Sequence, residues 1–487
     1  VPSFLEEISS ETGINFQHTE NNFLDYNKQY LIPHQLSTRG PKLAVADVNG
    51  DGLDDFYVCG GQGQAGRLMI QLPSGKFVTD SMPFTVAAKA EEVDAIFLDA
   101  NLDGSPDLYV ASGGNEWPDG DSLLSDHLYL NNGKGKFQLN NRAIPALLKN
   151  KSSLSSADID RDGDADLFIG VMADATKYGA APGSYLLLND GKGRFGLAPV
   201  TVAPLDSIGM VTQSSFADIN RDAWPDLILT GEWMPLTILI NNKGVFTKTT
   251  IAGSTGLWQS LLTTDVNGDG FTDILAGNWG HNSKLFAGKN GPLKLYVKDF
   301  DKNGSVEQIM AYTVEGKEYT FLAKDELERS LPVLKKGYLH YSDVAGKTVQ
   351  YMFDDLFNNY LELKAELLSS SCFLNDGKGN FSRTNLPAEM QVAPVYAVAP
   401  IPGNPLLFAG GGNFYGVVPY EGRYDALRPS LFSYNAAQKQ MEPAGSFTAN
   451  DGEIRDMKWI LGPGGEYRLL LAYNNGPVRI FRKRKTN

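Results

Sequence analysis

Cysteine is nearly absent: Cys59 and Cys372 are the only two in 487 residues, and no Cys-x-x-Cys pair occurs. That excludes a thiolate zinc site and a disulfide scaffold. Both lie in apolar, strand-like surroundings, where unpaired buried thiols are expected. No apolar run reaches the ~18 residues that a membrane helix needs. No signal peptide is recognisable, and a chain starting at Val raises the expectation of a processed or trimmed N-terminus. A cationic excess is also missing. Lys plus Arg number 43 against 57 Asp plus Glu, a net charge of −14. Nucleic acid as the main partner, and simple adsorption to an anionic membrane, are thereby disfavoured. Histidine is scarce as well: His18, His34, His127, His281 and His340 do not cluster. Neither a nucleophile elbow nor an HExxH motif occurs. Glycine is plentiful at 51, and hydrophobic residues at 42 % can build a large core rather than a disordered chain. Length alone suggests about three domains.

A repeat overrides that estimate. An apolar strand, an Asp-x-Asn/Asp-x-Asp-Gly-x-x-Asp loop and a second apolar strand recur along the chain. The first loop has Asp47, Asn49, Asp51, Gly52 and Asp55. The second has Asp99, Asn101, Asp103, Gly104 and Asp107; the third has Asp158, Asp160, Asp162, Gly163 and Asp166. The fourth, Asp218, Asn220, Asp222 and Asp226, carries Ala223 in place of Gly. The fifth has Asp265, Asn267, Asp269, Gly270 and Asp273. A sixth, Asp299, Asp301, Asn303, Gly304 and Glu307, departs further from the pattern.

A second element, Leu-x-Leu-Asn-x-Gly-x-Gly-x-Phe, follows most loops, at 128–137, 186–195, 239–246 and, late, 373–381. Its glycines fit a hairpin turn. Each repeat then supplies about four short strands at ~50-residue spacing, the pattern of a β-propeller blade. Two further strand–turn–strand units, around 394–411 and 454–473, put Gly and Pro where the acids stood. The expectation is an all-β, single-domain β-propeller over 1–487. Eight blades are favoured; seven result if the short fifth repeat is not a separate blade. Residues 1–12 are expected to supply the closing strand of the last blade, leaving no open edge. Residues 323–369 break the pattern with apolar spacings of three to four and read as a small helical insertion in the sixth blade.

Oxygen ligands at alternate positions, with a Gly that allows a sharp turn, suit a hard cation such as Ca²⁺. These loops are not EF-hands. Position 12 is Val58, Val110, Ile169 or Ala276 instead of Glu, and the flanks alternate as strands. The acid at position 9 takes over the closing role. About five Ca²⁺ ions, between four and six, are expected.

These residues resemble FG-GAP/VCBS repeat proteins, whose blades carry calcium loops like those of integrin α-subunit propellers. The segment 40–56 is most similar to surface or secreted VCBS-repeat proteins of Bacteroidota, of the kind associated with ASPIC/UnbV modules. The resemblance implies side-chain ligands at loop positions 1, 3, 5 and 9 and a backbone carbonyl from position 7. The carbonyls are then those of Leu53, Ser105, Asp164, Trp224, Phe271 and Ser305.

If the loops join first to second strands, the second strands end on the opposite face. There the chain reads Asn115, Glu116, Trp117; Glu232, Trp233; Asn278, Trp279, His281; and Asn413, Phe414, Tyr415. Trp, Tyr, Asn and Glu together suggest a sugar- or protein-binding surface, and these eleven residues are the ligand-face candidates. No catalytic residue is assigned. The favoured function is a non-catalytic, calcium-stabilised binding or scaffolding propeller at a bacterial cell surface. The family resemblance implies an accessory subunit of an outer-membrane nutrient-uptake complex with SusC/SusD-like partners, a lipid anchor, or a glycan ligand. The alternative is a polysaccharide lyase or hydrolase, with His281 the histidine to test. Nineteen of the 57 acids are candidate ligands, and those remaining are fewer than the 43 basic residues. The acidity is thus concentrated in the loops.

Overall fold

The computed structural model describes residues 4–80, 82–140, 142–287, 291–418, 421–449 and 451–484. Seven four-stranded antiparallel meanders form a ring. Blade 1 contains Leu43–Ala46, Asp55–Val58, Arg67–Gln71 and Phe77–Asp80. Blade 2 spans Glu91–Leu98 to Phe137–Leu139, blade 3 Asn150–Ala157 to Phe195–Leu197, and blade 4 Met210–Ala217 to Val245–Thr250. Blade 5 is Ser260–Thr264, Asp273–Gly277, Ser371–Asn375 and Phe381–Asn385. Blade 6 runs from Val395–Ile401 to Gln440–Ser446. Blade 7 joins Glu453–Leu461, Tyr467–Asn474 and Arg479–Lys483 to Leu5–Glu7 from the other end of the chain. Residues 1–3 of the expected closing segment lie outside the described residues.

First strands of all seven blades line one central cavity of about 310 Å³, to which each contributes a residue such as Leu43, Asp94, Leu154, Gln213, Leu261, Ala397 or Met457. Polar side chains at the start of these strands stitch neighbours together. Asp94 accepts from Leu154 N at 2.7 Å, Ser152 Oγ donates to Val211 O at 2.6 Å, and Ser260 Oγ donates to Val395 O at 2.9 Å. Asp456 accepts from Leu43 N at 2.9 Å, which closes blade 7 on blade 1. Each such bond satisfies an inner-edge group that the meander leaves open.

The sequence favours eight blades, but the ring has seven among the described residues. The sheet bearing the sixth acidic loop is inserted between the second and third strands of blade 5. Asp273–Gly277 pairs directly with Ser371–Asn375, in the register Ile274↔Phe373. The inserted sheet comprises Leu293–Lys298, Glu307–Val314, Lys317–Thr320 and Leu361–Ala365, and its fourth strand returns beside its first. Helices Lys324–Ser330, Pro332–Gly337 and Val349–Phe353 span that return. The helical insertion therefore belongs to this added module and not to a ring blade, and its C-terminal part is strand. Leu327, Leu331, Leu334, Val349 and Phe353 bury against Tyr296, Phe300 and Ile309 of the sheet.

Between the outer strand of blade 7 and blade 1, the chain crosses the face opposite the acidic loops. Leu31, Ile32, His34 and Leu36 are buried there. Asn115 donates to Asp25 at 2.6 Å, and Gln29 exchanges hydrogen bonds with Ala175 O and Tyr178 N. This segment caps the ring. Both cysteines are unpaired and buried. Among the described residues, no helix is long and apolar enough to cross a membrane.

Candidate metal centres

The six acidic loops share one construction. The position-1 carboxylate turns back onto the loop's own amides: Asp47 accepts from Gly50 N and Gly52 N at 2.8 Å, and Asp265 from Gly268 N and Gly270 N at 2.7 Å. Asp99, Asp218 and Asp299 accept the position-6 amide in the same way, at 2.8–2.9 Å. Positions 4 and 6 are left-handed throughout. At position 6, φ is 84° for Gly52 and 98° for Gly163, but also 69° for Ala223. The fourth loop thus keeps the shape at a backbone cost of about 1 kcal/mol.

Position 9 is the buried anchor. Asp55, Asp107, Asp166, Asp226 and Asp273 are 0–1 % exposed. One oxygen accepts from the position-2 amide, as in Asp166 with Ile159 N at 3.1 Å. The other accepts from the third strand of the same blade, as in Asp166 with Asn189 N at 2.9 Å and Asp273 with Asn375 N at 2.7 Å. The second contact identifies residues that the loop motif alone does not reveal. The side chains of Asn131, Asn189, Asn241 and Asn375 donate across to Val48 O, Ala100 O, Ile159 O and Ile219 O, each the position-2 carbonyl of the preceding blade's loop. The signal was the Asn of the Leu-x-Leu-Asn-x-Gly element. It ties each loop to the next blade.

Electrostatics sets these carboxyls apart. Burial pushes Asp55 and Asp166 up to about 7, and Asp107, Asp226 and Asp273 up to about 6, against the pull of their backbone donors. Glu307 is pushed up to about 7 by burial as well. A nearby positive charge would favour the ionised form of such a carboxyl. In the third loop Asp158, Asp160 and Asp166 bring one oxygen each within 4.8 Å of one another; in the sixth, Asp299, Asp301 and Glu307 do the same. Asp158 Oδ1 and Asp164 Oδ1 are buried without a hydrogen-bond partner. An all-oxygen donor set with orphaned carboxylate oxygens fits a hard divalent cation. Asp164, expected to offer only its carbonyl, also buries its carboxyl, which burial and then Asp162, Asp160 and Asp158 push up to about 6.

Neighbouring loops also touch. The Arg161 guanidinium lies 4.0 Å from the Trp224 ring centre and donates to Ala223 O, and Arg221 lies 3.7 Å from the Phe271 ring centre. Position 4 of one loop thus grips position 7 of the next.

The face candidates have a different fate. Asn115, Glu116, Glu232, Trp233, Asn278, Trp279, Asn413 and Phe414 are buried, mostly under or against the capping segment. Glu232 faces His34 Nε2 at 2.9 Å, Arg39 at 3.2 Å and Tyr178 Oη at 2.7 Å. Burial opposes its charge, but His34 and Arg39 hold its carboxyl down at about 2. Trp233 donates to Tyr178 Oη at 2.7 Å, and Trp279 packs on His34, Phe414 and Tyr424. The expected open face is therefore filled by the chain's own N-terminal residues, because the apolar ring end and apolar Ile32 and Leu36 bury each other. Trp117 and Tyr415 remain half-buried, and His281 is exposed with Ser369 Oγ 2.8 Å from its Nε2.

Among solved structures, the chain is similar to BBS1N in complex with ARL6DN, at 10 % identity over 100 % of this chain and 99 % of that one, with a TM-score of 0.45. It is also similar to Saccharomyces cerevisiae Sqt1, at 10 % identity over 98 % and 100 % with a TM-score of 0.43, and to the Dos1 propeller, at 12 % over 95 % and 98 % with 0.39. No curated protein matches. Residues 47–110, 99–169 and 218–276, each starting at position 1 of an acidic loop, match the FG-GAP-like repeat, so this β-propeller carries FG-GAP-like repeats.

Proposed function

We propose that this chain is a Ca²⁺-stabilised propeller that serves as a non-catalytic binding scaffold for a protein partner outside the cytoplasm. The observation that carries the cation is the set of buried position-9 carboxylates, which in the third and sixth loops lie within 4.8 Å of two further carboxylates. Ca²⁺ fits because the donors are all oxygen and the loops are short and irregular, whereas Mg²⁺ demands near-ideal octahedral geometry. An extracytoplasmic setting is part of the proposal, because free Ca²⁺ is abundant there. The partner reading extends to an outer-membrane uptake complex of SusC/SusD type at a bacterial surface. Support for a scaffold is architectural: a closed ring whose own N-terminal segment covers part of one face, and an added helical module that presents Leu339, Tyr341 and Tyr351 to solvent. Affinity capture from source membranes, with Ca²⁺ and with EGTA, tests both halves. Recovery of a stoichiometric membrane-protein partner only with Ca²⁺ is expected. Equal recovery in EGTA would remove the cation from the account, and no partner in either condition would remove the scaffold role.

A further inference from the structure

Blades 6 and 7 and the capping segment enclose a cleft of about 420 Å³ on the face opposite the acidic loops. Tyr415 is the one ligand-face candidate that lines it. The other walls include Thr38 of the capping segment and Asp451, Glu453, Tyr473 and Arg479 of blade 7. Three of these residues carry a buried polar atom with no hydrogen-bond partner: Thr38 Oγ1, Tyr473 Oη and Arg479 Nε. Unmet hydrogen-bonding capacity of this kind costs stability and calls for a partner.

Of the three charged wall residues, Glu453 and Arg479 are already matched, and Asp451 is exposed at the rim. Glu453 accepts from Arg455 Nη2 at 2.5 Å and from Tyr415 N at 2.8 Å. Arg479 pairs with Glu7 through Nη1. An anionic ligand would meet Asp451; a neutral one that both donates and accepts can serve this carboxylate, two hydroxyls and a guanidinium N–H together. Glycine keeps the wall thin. A Cβ on Gly452 would come within 2.7 Å of the Tyr473 ring, so only glycine lets that ring lie where it does. Two phenol rings supply apolar surface beside the polar groups, and the volume falls within the ordinary small-ligand range.

We propose that this cleft binds a neutral sugar of one or two rings. The site is separate from the acidic loops and from the protein-partner reading, so it stands or falls without them. The test is saturation-transfer NMR on the full chain in Ca²⁺, with glucose, galactose, mannose, maltose, cellobiose and lactose at about 10 mM. At least one sugar is expected to receive saturation. Tyr473→Phe removes only the unpartnered hydroxyl; it should weaken that sugar roughly three- to tenfold while leaving the melting temperature unchanged or higher. Asp451→Ala, at an exposed position, should weaken binding without unfolding. No transfer to any of the six sugars overturns the proposal, as does binding that both variants leave unchanged.

Discussion

Blades 1–5 and blades 6–7 turn the same corner, from first to second strand, with different chemistry. Blades 1–5 use nine-residue acidic loops. Blade 6 turns at Pro402-Gly403, with Ile401 opposite Asn404, and blade 7 turns through Gly462 to Glu466, closed by Gly462 N to Glu466 O at 2.8 Å. Left-handed Gly403, Gly464 and Gly465 suffice there. The ring is thus held at two corners without any acid cluster. Turn-making alone does not explain the carboxylates of the other five. Blade 7 even borrows an acid from next door: Asp54 accepts from Leu461 N at 2.6 Å. The difference teaches that the acidic loops add something that a blade corner can do without, and the proposed cation would account for both their charge and their burial.

The strongest way to break this comparison is to remove one anchor. Asp166→Ala deletes the carboxylate that accepts from two backbone N–H groups, together with a proposed ligand, and should cost about 2–4 kcal/mol in Ca²⁺, read by denaturant unfolding. Glu466→Ala at the blade 7 corner, which has no acid cluster, should cost less than about 0.5 kcal/mol. Equal losses at the two corners would erase the distinction.

Proton linkage gives a second handle. In EGTA, the position-9 carboxyls keep folded-state values of about 6 to 7, above their unfolded value. These carboxyls then hold protons in the native chain that the unfolded chain releases, so their contribution to stability is largest in acid and falls as pH rises from about 4 to 7. With saturating Ca²⁺ the carboxylates are the ligands, and that fall should vanish or reverse. Parallel melting curves across this range, with and without Ca²⁺, would contradict the linkage.

Smaller effects sharpen the picture within the acidic group. Ala223→Gly relieves a left-handed alanine and should raise stability by about 1 kcal/mol; a loss instead would mean that the Ala methyl packs usefully. Arg161→Ala breaks the stack on Trp224 and should cost about 0.5–1 kcal/mol while weakening Ca²⁺ at the fourth loop more than at the first. An unchanged fourth site would show the loops to be independent.

Much of this was legible locally. Loop composition identified the corners, and strand alternation around them identified the propeller, because a loop's shape and a strand's pleat are set by neighbours in sequence. The insertion was not, because strand pairing is a long-range choice: the 34-residue gap between the fifth and sixth loops looked like a short blade. The late Leu-Asn-x-Gly element at Asn375 was the clue, since its amide closes Asp273, 102 positions earlier. The capping segment was also hidden. Residues 18–42 have no strand period, and nothing local shows that Ile32, His34 and Leu36 will cover Trp233 and Trp279. Trp279 was expected to serve a ligand; buried at 2 % exposure, it serves the core.

Counting the ions tests the central claim most directly. Native mass spectrometry of the full chain after EGTA treatment and Ca²⁺ repletion should show about five bound Ca²⁺, and one fewer in Asp166→Ala. A chain that takes up no Ca²⁺, or whose uptake is unchanged by Asp166→Ala, would contradict it.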